Sequence, residues 1–260
     1  MLKKLRIKNF KCWQDTGDIV LAPLTLLFGT NSSGKSSIGQ FLMMLKYTAS
    51  KGDRNSAFYL GSGSKDSVLQ LGAFKDIILH HDARSKISFS YDWDLPERLE
   101  FKDSHTASVI ISASAASVFK YDEIEFGAQI AFTERNAIPY VECLKYDLLD
   151  QGRQTADVSL CRSSKGNYKL TSERYKFVRN PGRVWDITTA LRFYGFPDEA
   201  NTYYQNAQFV QALNYQQEAL FKRVDYLGPM RSRPERIYSW SGNEPEGVGD
   251  AGQFAIPAML

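Results

Sequence analysis

The stretch LLFGTNSSGKSSIGQFLMML, residues 26–45, places a loop of small polar residues between two apolar runs. Before the loop, residues 24–28 are almost uninterruptedly apolar, which predicts a strand covered on both faces. After it, apolar residues recur at the i, i+3, i+4 and i+7 spacing of an amphipathic helix: Ile38, Phe41, Leu42 and Leu45. The stretch therefore predicts a strand, a loop and a helix in succession, which is a unit of α/β folds.

The loop between the two runs has the pattern Gly-x4-Gly-Lys-Ser, from Gly29 to Ser36, which is typical of phosphate-binding loops. Glycines permit the backbone angles that let successive amides point at an anion, and the helix that follows adds its positive dipole end. We expect Lys35 to reach the β- and γ-phosphates of ATP and the Ser36 hydroxyl to bind Mg²⁺. The predicted nucleotide-binding residues are Gly29, Asn31, Ser32, Ser33, Gly34, Lys35, Ser36 and Ser37.

The composition is that of an ordinary globular protein, with 43% hydrophobic and 23% charged residues among 260 and a net charge of +3. This balance does not by itself indicate a nucleic-acid partner. No apolar run approaches the length of a membrane span, and the charged N-terminus lacks a signal-peptide core, so we expect a cytoplasmic protein without a membrane partner. Neither the three cysteines nor the three histidines show metal-ligand spacing, and no disulfide framework is indicated.

The rest of the chain divides into sections that differ in residue pattern and in predicted secondary structure. Residues 2–10 alternate partly between apolar and basic side chains, which predicts a strand with one solvent-exposed face. Short strands separated by turns follow from residue 86 to about 177, and helical spacing appears after residue 198. We therefore divide the chain into residues 1–85, which hold the phosphate loop, a β-rich subdomain or insertion over 86–180, and a helical segment with an arginine-rich loop over 181–260.

Two segments near the N-terminus, LRIKNFK (residues 5–11) and LTLLFGTNSSGKSS (residues 24–37), resemble the opening of P-loop ATPases of the RecF/SMC/OLD-like class. Two more, LGAFKD (residues 71–76) and YLGPMR (residues 226–231), are similar to segments of predicted bacterial AAA-type ATPases. The resemblance implies an ABC-type P-loop lobe with an antiparallel β-rich subdomain and a helical segment. The middle of the chain resembles such a lobe only in its predicted antiparallel strands, and not in any sequence motif.

The resemblance also implies a mechanism for the site. Such ATPases dimerise head to tail, so that a signature loop of one copy covers the nucleotide of the other, and a glutamine after the phosphate-loop helix senses the γ-phosphate and Mg²⁺. Gln70 is the candidate for that glutamine, and a surface glutamine on a strand is the alternative. The segment from Asn9 to Lys11 can lie beside the base or the α-phosphate, unless Phe10 is simply a core residue.

Two motifs of such ATPases are absent from the sequence. No Leu-Ser-x-Gly signature occurs, and no run of four apolar residues ends in Asp-Glu, the pair that holds Mg²⁺ and polarises water. The sequence therefore predicts the N-terminal half of a longer ATPase, and hydrolysis by this segment alone should be poor. A complete but catalytically degenerate nucleotide binder is the alternative.

The expected function is an ATP-binding ABC-type ATPase that forms a dimer or higher oligomer and gates a partner or fused effector, such as a nuclease in anti-phage defence. An SMC/RecF-like DNA-repair ATPase and a non-hydrolysing interaction module remain as alternatives. A GTPase is disfavoured because no Asn-Lys-x-Asp motif occurs, and a small kinase because the chain after residue 86 is β-rich. Arg231, Arg233 and Arg236 either line a partner or nucleic-acid surface or form an exposed basic loop.

Overall fold

The protein is built around one eight-stranded antiparallel sheet. The computed structural model describes residues 1–61, 69–102, 118–133 and 138–228, with 233, 237–238, 248–249, 251–256 and 259. The strands are β1 Leu2–Phe10, β2 Trp13–Asp15, β3 Ile19–Val20, β4 Ile87–Lys102, β5 Val118–Thr133, β6 Ile138–Asp150, β7 Arg153–Arg162 and β8 Tyr168–Thr171. Their order is β2-β1-β4-β5-β6-β7-β8, and β3 also pairs with β1.

The described residues also form four α-helices. They are α1 Lys35–Lys51, α2 Phe74–Ile77, α3 Glu199–Tyr203 and α4 Phe209–Lys222, and a short 3₁₀ turn covers Leu79–His81. None of these helices combines the length and the apolar character that a bilayer crossing requires. The helix predicted after the phosphate loop is thus present as α1, and the helical section after residue 198 is confirmed by α3 and α4.

One face of the sheet carries the core, because side chains alternate along each strand. Three aromatic side chains at alternate positions of β4 are buried, those of Phe89, Tyr91 and Trp93. Phe41 of α1 packs edge-on against Phe89 with ring centroids 5.1 Å apart. The Tyr91 hydroxyl donates a 2.7 Å hydrogen bond to Gln217 of α4. Both long helices are therefore fixed to the same face of the sheet.

The strand predicted over Leu24–Phe28 is wrong. The segment has no regular secondary structure, and its side chains are exposed instead of covered on both faces. The apolar pattern measures what the segment would gain from burial, but a buried strand also needs neighbouring strands, and β2 and β3 pair with β1 instead. Of the short strands predicted between residue 86 and about 177, the one at residues 109–111 lies outside the described residues, whereas the others are present.

Two features of the sheet differ from what the sequence indicated. Cys143 of β6 lies directly opposite Cys161 of β7, and the two form a disulfide, although no disulfide was indicated by spacing. Their pairing follows from the register of a hairpin, which cysteine spacing does not encode. β1 pairs with β4, Lys4 opposite Asp92, so the first two predicted sections share one sheet, and the three-part division of the chain stays a prediction.

The outer face of the sheet carries a row of acidic side chains. Asp92, Glu125, Asp147 and Asp157 stand directly opposite one another on β4, β5, β6 and β7. Lys4 lies 3.4 Å from Asp92, and Lys145 lies 2.9 Å from Asp147. Glu125, in the middle of the row, has no ion pair among the described residues. Burial raises the pKa of Glu125, and the neighbouring Asp92 and Asp147 raise it further.

Replacing Glu125 with glutamine should stabilise the protein at neutral pH. Like charges directly opposite on neighbouring strands destabilise a sheet, so we expect a gain of about 0.5 kcal/mol, or about 2 °C in melting temperature. Because the folded-state pKa is raised, the wild type loses stability as pH rises through it, and the gain should vanish near pH 4. Thermal unfolding at the two pH values measures this.

Glu142→Gln is the matched control, because Glu142 accepts a 2.6 Å hydrogen bond from Lys86 and has a favourable partner. It should give no gain at either pH. A melting temperature of the Glu125→Gln variant below that of the wild type at pH 7 would contradict the account of the acidic row.

Candidate functional site

The phosphate loop lies where the sequence predicts it, at the N-terminus of the 17-residue helix α1. Gly34 precedes the helix with φ 92° and ψ 5°, a left-handed conformation that suits glycine. Ser32 also has a positive φ, of 61°. Alternating backbone conformations of this kind turn successive amides toward one side and form an anion-binding concavity.

Most amides of this loop lack an acceptor in the described part of the chain. The amides of Asn31 and Ser32, and those from Gly34 to Ser36, make no hydrogen bond there. The Ser33 amide instead donates to Thr30 and the Ser37 amide to Gly34, at 3.3 Å and 3.0 Å. The loop therefore offers free donors at the positive end of a helix, which is the environment that a phosphate group requires.

The side chain of Lys35 lies across the loop. Its ammonium donates hydrogen bonds to the carbonyl oxygens of Gly29 at 2.8 Å and Thr30 at 2.6 Å. These neutral acceptors hold a full positive charge at the mouth of the concavity. An anion there would attract the ammonium more strongly than the two carbonyls do, because both partners would then be charged.

The hairpin turn between β1 and β2 forms a wall beside the loop, which the sequence did not predict. The Trp13 indole donates a 3.2 Å hydrogen bond to the Gly34 carbonyl. A Cβ atom on Gly34 would lie 2.5 Å from the Cys12 sulfur and 2.8 Å from the indole nitrogen. Gly34 is therefore required both for its backbone angles and for the close approach of this turn.

The neighbouring residues of the hairpin have structural roles. Phe10 is fully buried and packs against Phe41 with ring centroids 5.0 Å apart, so it is a core residue and lies in no base pocket. The Lys11 ammonium donates a 2.6 Å hydrogen bond to the side chain of Gln40, and burial lowers the pKa of Lys11. Lys11 therefore links the hairpin turn to α1 through Gln40.

The remaining predicted site residues lie elsewhere along the chain. Gln70 is exposed and lies in irregular backbone between the buried Leu69 and Leu71, and its role at the γ-phosphate stays a prediction. Arg233 is exposed, whereas Arg231 and Arg236 lie outside the described residues. No cluster of three or more His, Cys, Asp or Glu side chains in the described ranges has the arrangement of a metal site.

Comparison with known families agrees with this geometry. Residues 1–150 match the family model described as an AAA ATPase domain. The chain belongs to this family. The match spans the phosphate loop, α1 and the first strands of the sheet, and a P-loop-like α/β fold with ATP binding and hydrolysis follows from it. No curated protein matches the chain.

Adding a methyl group at Gly34 should impair both the fold and the site. A non-glycine residue in a left-handed conformation loses about 1–2 kcal/mol, and the new Cβ would collide with Cys12 and Trp13. We expect Gly34→Ala to lower the melting temperature by several degrees, at about 2–4 °C per kcal/mol, and to weaken ATP binding measured by calorimetry.

Gly39→Ala is the control within the same helix. A Cβ at Gly39 would meet no atom within 4 Å, so this variant should gain stability, by about 1 kcal/mol. Equal effects of the two substitutions on stability and on ATP binding would refute the role assigned to Gly34.

Proposed function

We propose that this protein is the nucleotide-binding part of an ABC-type ATPase of the RecF/SMC/OLD-like class, acting in the cytoplasm and binding ATP with Mg²⁺ at the phosphate loop. The observation that carries the proposal is the set of amides without acceptors in the described part of the chain, those of Asn31, Ser32 and Gly34–Ser36, beside the Lys35 ammonium at the start of α1. Free donors around a fixed positive charge fit a triphosphate better than a neutral ligand.

Each residue of the loop has a distinct part in the proposed site. The free amides would hold phosphate oxygens, and Lys35 would exchange its bonds to Gly29 and Thr30 for bonds to the β- and γ-phosphates. The exposed Ser36 hydroxyl, in the first turn of α1, would bind Mg²⁺, which prefers hard oxygen ligands. The bound metal would neutralise charge that develops on the transferred phosphoryl group.

The larger assembly is proposed from the resemblance. Two copies would meet through their ATPase heads, and the ATP-bound dimer would gate a partner or fused effector, for example a nuclease in anti-phage defence. Contacts to the γ-phosphate would order the dimer interface, as they order switch segments in other nucleotide-dependent proteins. In this scheme Gln70 would contact the γ-phosphate and so distinguish the ATP-bound state.

A non-hydrolysing nucleotide-binding module is the second candidate. The sequence favours it to the extent that it contains no apolar run ending in Asp-Glu, so the water-positioning carboxylate of P-loop hydrolases has no counterpart in these residues. Phosphate release separates the two candidates. The ATPase proposal requires turnover from the assembled protein, and tight ATP binding without phosphate release would favour the module.

Lys35→Ala should abolish most ATP binding. The variant loses charge-assisted hydrogen bonds worth about 1.5–3 kcal/mol each, so the dissociation constant for ATP should rise about 100-fold or more. Isothermal titration calorimetry with ATP and Mg²⁺ measures the change directly.

Lys51→Ala is the matched control, because Lys51 lies in the last turn of the same helix. It should leave the ATP affinity within about twofold of the wild type, a difference of under 0.5 kcal/mol. Unchanged ATP binding by the Lys35→Ala variant would overturn the site assignment.

A further inference from the structure

Two cysteines meet on the outer face of the sheet, opposite to the face that carries α1 and α4. Cys143 of β6 and Cys161 of β7 stand directly opposite each other and form a disulfide. The neighbouring residues on the two strands, Leu144 and Leu160, are buried in the core. Because side chains alternate along a strand, both cysteines face away from the core, and both are partly exposed.

The strands on either side of the cysteine pair leave it open to solvent. Gln129 of β5 lies opposite Cys143, and Lys169 of β8 lies opposite Cys161. Both of these flanking side chains are exposed. Lys145, two residues along β6 from Cys143 on the same face, is exposed as well. A small thiol in solution can therefore approach the two sulfur atoms.

The charge beside the pair is positive and favours thiolates. Lys145 lies 2.9 Å from Asp147, which offsets part of its charge. Lys169 has no ion pair among the described residues and lies opposite Cys161. A cationic neighbour favours the thiolate over the thiol, and the thiolate is the form that attacks a disulfide and the form that leaves it.

From this access and this charge we infer that Cys143 and Cys161 form a reversible redox site that exchanges with a small-molecule thiol such as glutathione. In reduction, one glutathione thiolate attacks one of the two sulfurs, the bond between the cysteines breaks, and the other cysteine leaves as a thiolate. A second glutathione thiolate attacks the glutathione sulfur of the mixed disulfide and releases the first cysteine. The protein gains two electrons and oxidised glutathione forms, and the reverse sequence restores the bond.

The exchange would act on the edge of the sheet. The two cysteines are 18 residues apart in the chain and form the pair of the β6–β7 register that lies farthest from the hairpin turn. The edge strand β8 pairs with β7 at this same end, from Ser159 to Arg162. Reduction would remove the cross-link that holds this end of the hairpin and would favour local opening of the edge.

A purely structural disulfide is the alternative. Structural disulfides resist reduction by glutathione, whereas exposed ones are the reducible and regulatory ones. In a reducing cytoplasm, disulfides are usually transient or redox-sensing. The argument from the compartment rests on the location proposed above, whereas the argument from exposure and charge does not.

Thiol labelling of the whole native chain tests the inference. The chain is incubated with millimolar reduced glutathione, quenched with N-ethylmaleimide and mapped by mass spectrometry. We expect Cys143 and Cys161 to become labelled within hours and to lose the labelling again when oxidised glutathione is added. Cys12 is exposed and free, and its labelling before any glutathione is added is the internal control.

Two sets of variants examine the cause and the consequence. Lys169→Gln should slow the reduction about threefold, and Lys165→Gln, at an exposed lysine in the turn after β7, should not change it. Reduced glutathione should lower the melting temperature of the wild type by about 5 °C. It should leave that of the double variant Cys143→Ser, Cys161→Ser unchanged.

Three labelling results would overturn the inference. They are labelling of the pair only after denaturation, full labelling of both cysteines in oxidised glutathione, and stable glutathione adducts without a re-formed bond. Equal rates in the two lysine variants would overturn the part assigned to Lys169. None of these measurements involves ATP, so their failure is distinct from a failure of the proposed function.

Discussion

The beginning of α1 imposes the constraint on which the site depends. A helix leaves its first amides without internal acceptors, and here the preceding loop adds the amides of Asn31, Ser32 and Gly34, which have no acceptor in the described part of the chain. The helix is anchored by Phe41 on the sheet, and the loop is flanked by Cys12 and Trp13. The donors are thus held in place by packing that does not involve the ligand, which is the condition for a preorganised anion site.

The sequence predicted those parts of the fold that local chemistry determines. The glycines and Lys35 identify the loop, and the spacing from Ile38 to Leu45 identifies the buried face of α1. Partial alternation along residues 2–10 identifies the strand β1. In each case a side chain and its neighbours within one helical turn or one strand decide the outcome.

Features that depend on tertiary pairing were not predictable in this way. The Cys143–Cys161 disulfide and the contact of Trp13 with the phosphate loop arise from strand register and hairpin placement. The segment Leu24–Phe28 shows a different error. Its apolar pattern predicts a buried strand, but the described residues supply no strand to cover it. An apolar pattern therefore indicates that burial of a segment would be favourable, and the tertiary structure determines whether the segment is buried.

The central claim is that backbone amides of the phosphate loop bind the triphosphate of ATP, and amide chemical shifts test it most directly. In a ¹⁵N-labelled sample titrated with ATP and Mg²⁺, the account predicts saturable shifts at Asn31, Ser32, Gly34, Lys35 and Ser36, with the Ser33 and Ser37 amides less affected. Adenosine without phosphates should not produce them. Unmoved resonances for these amides at saturating ATP, or the same shifts with adenosine, would contradict the account.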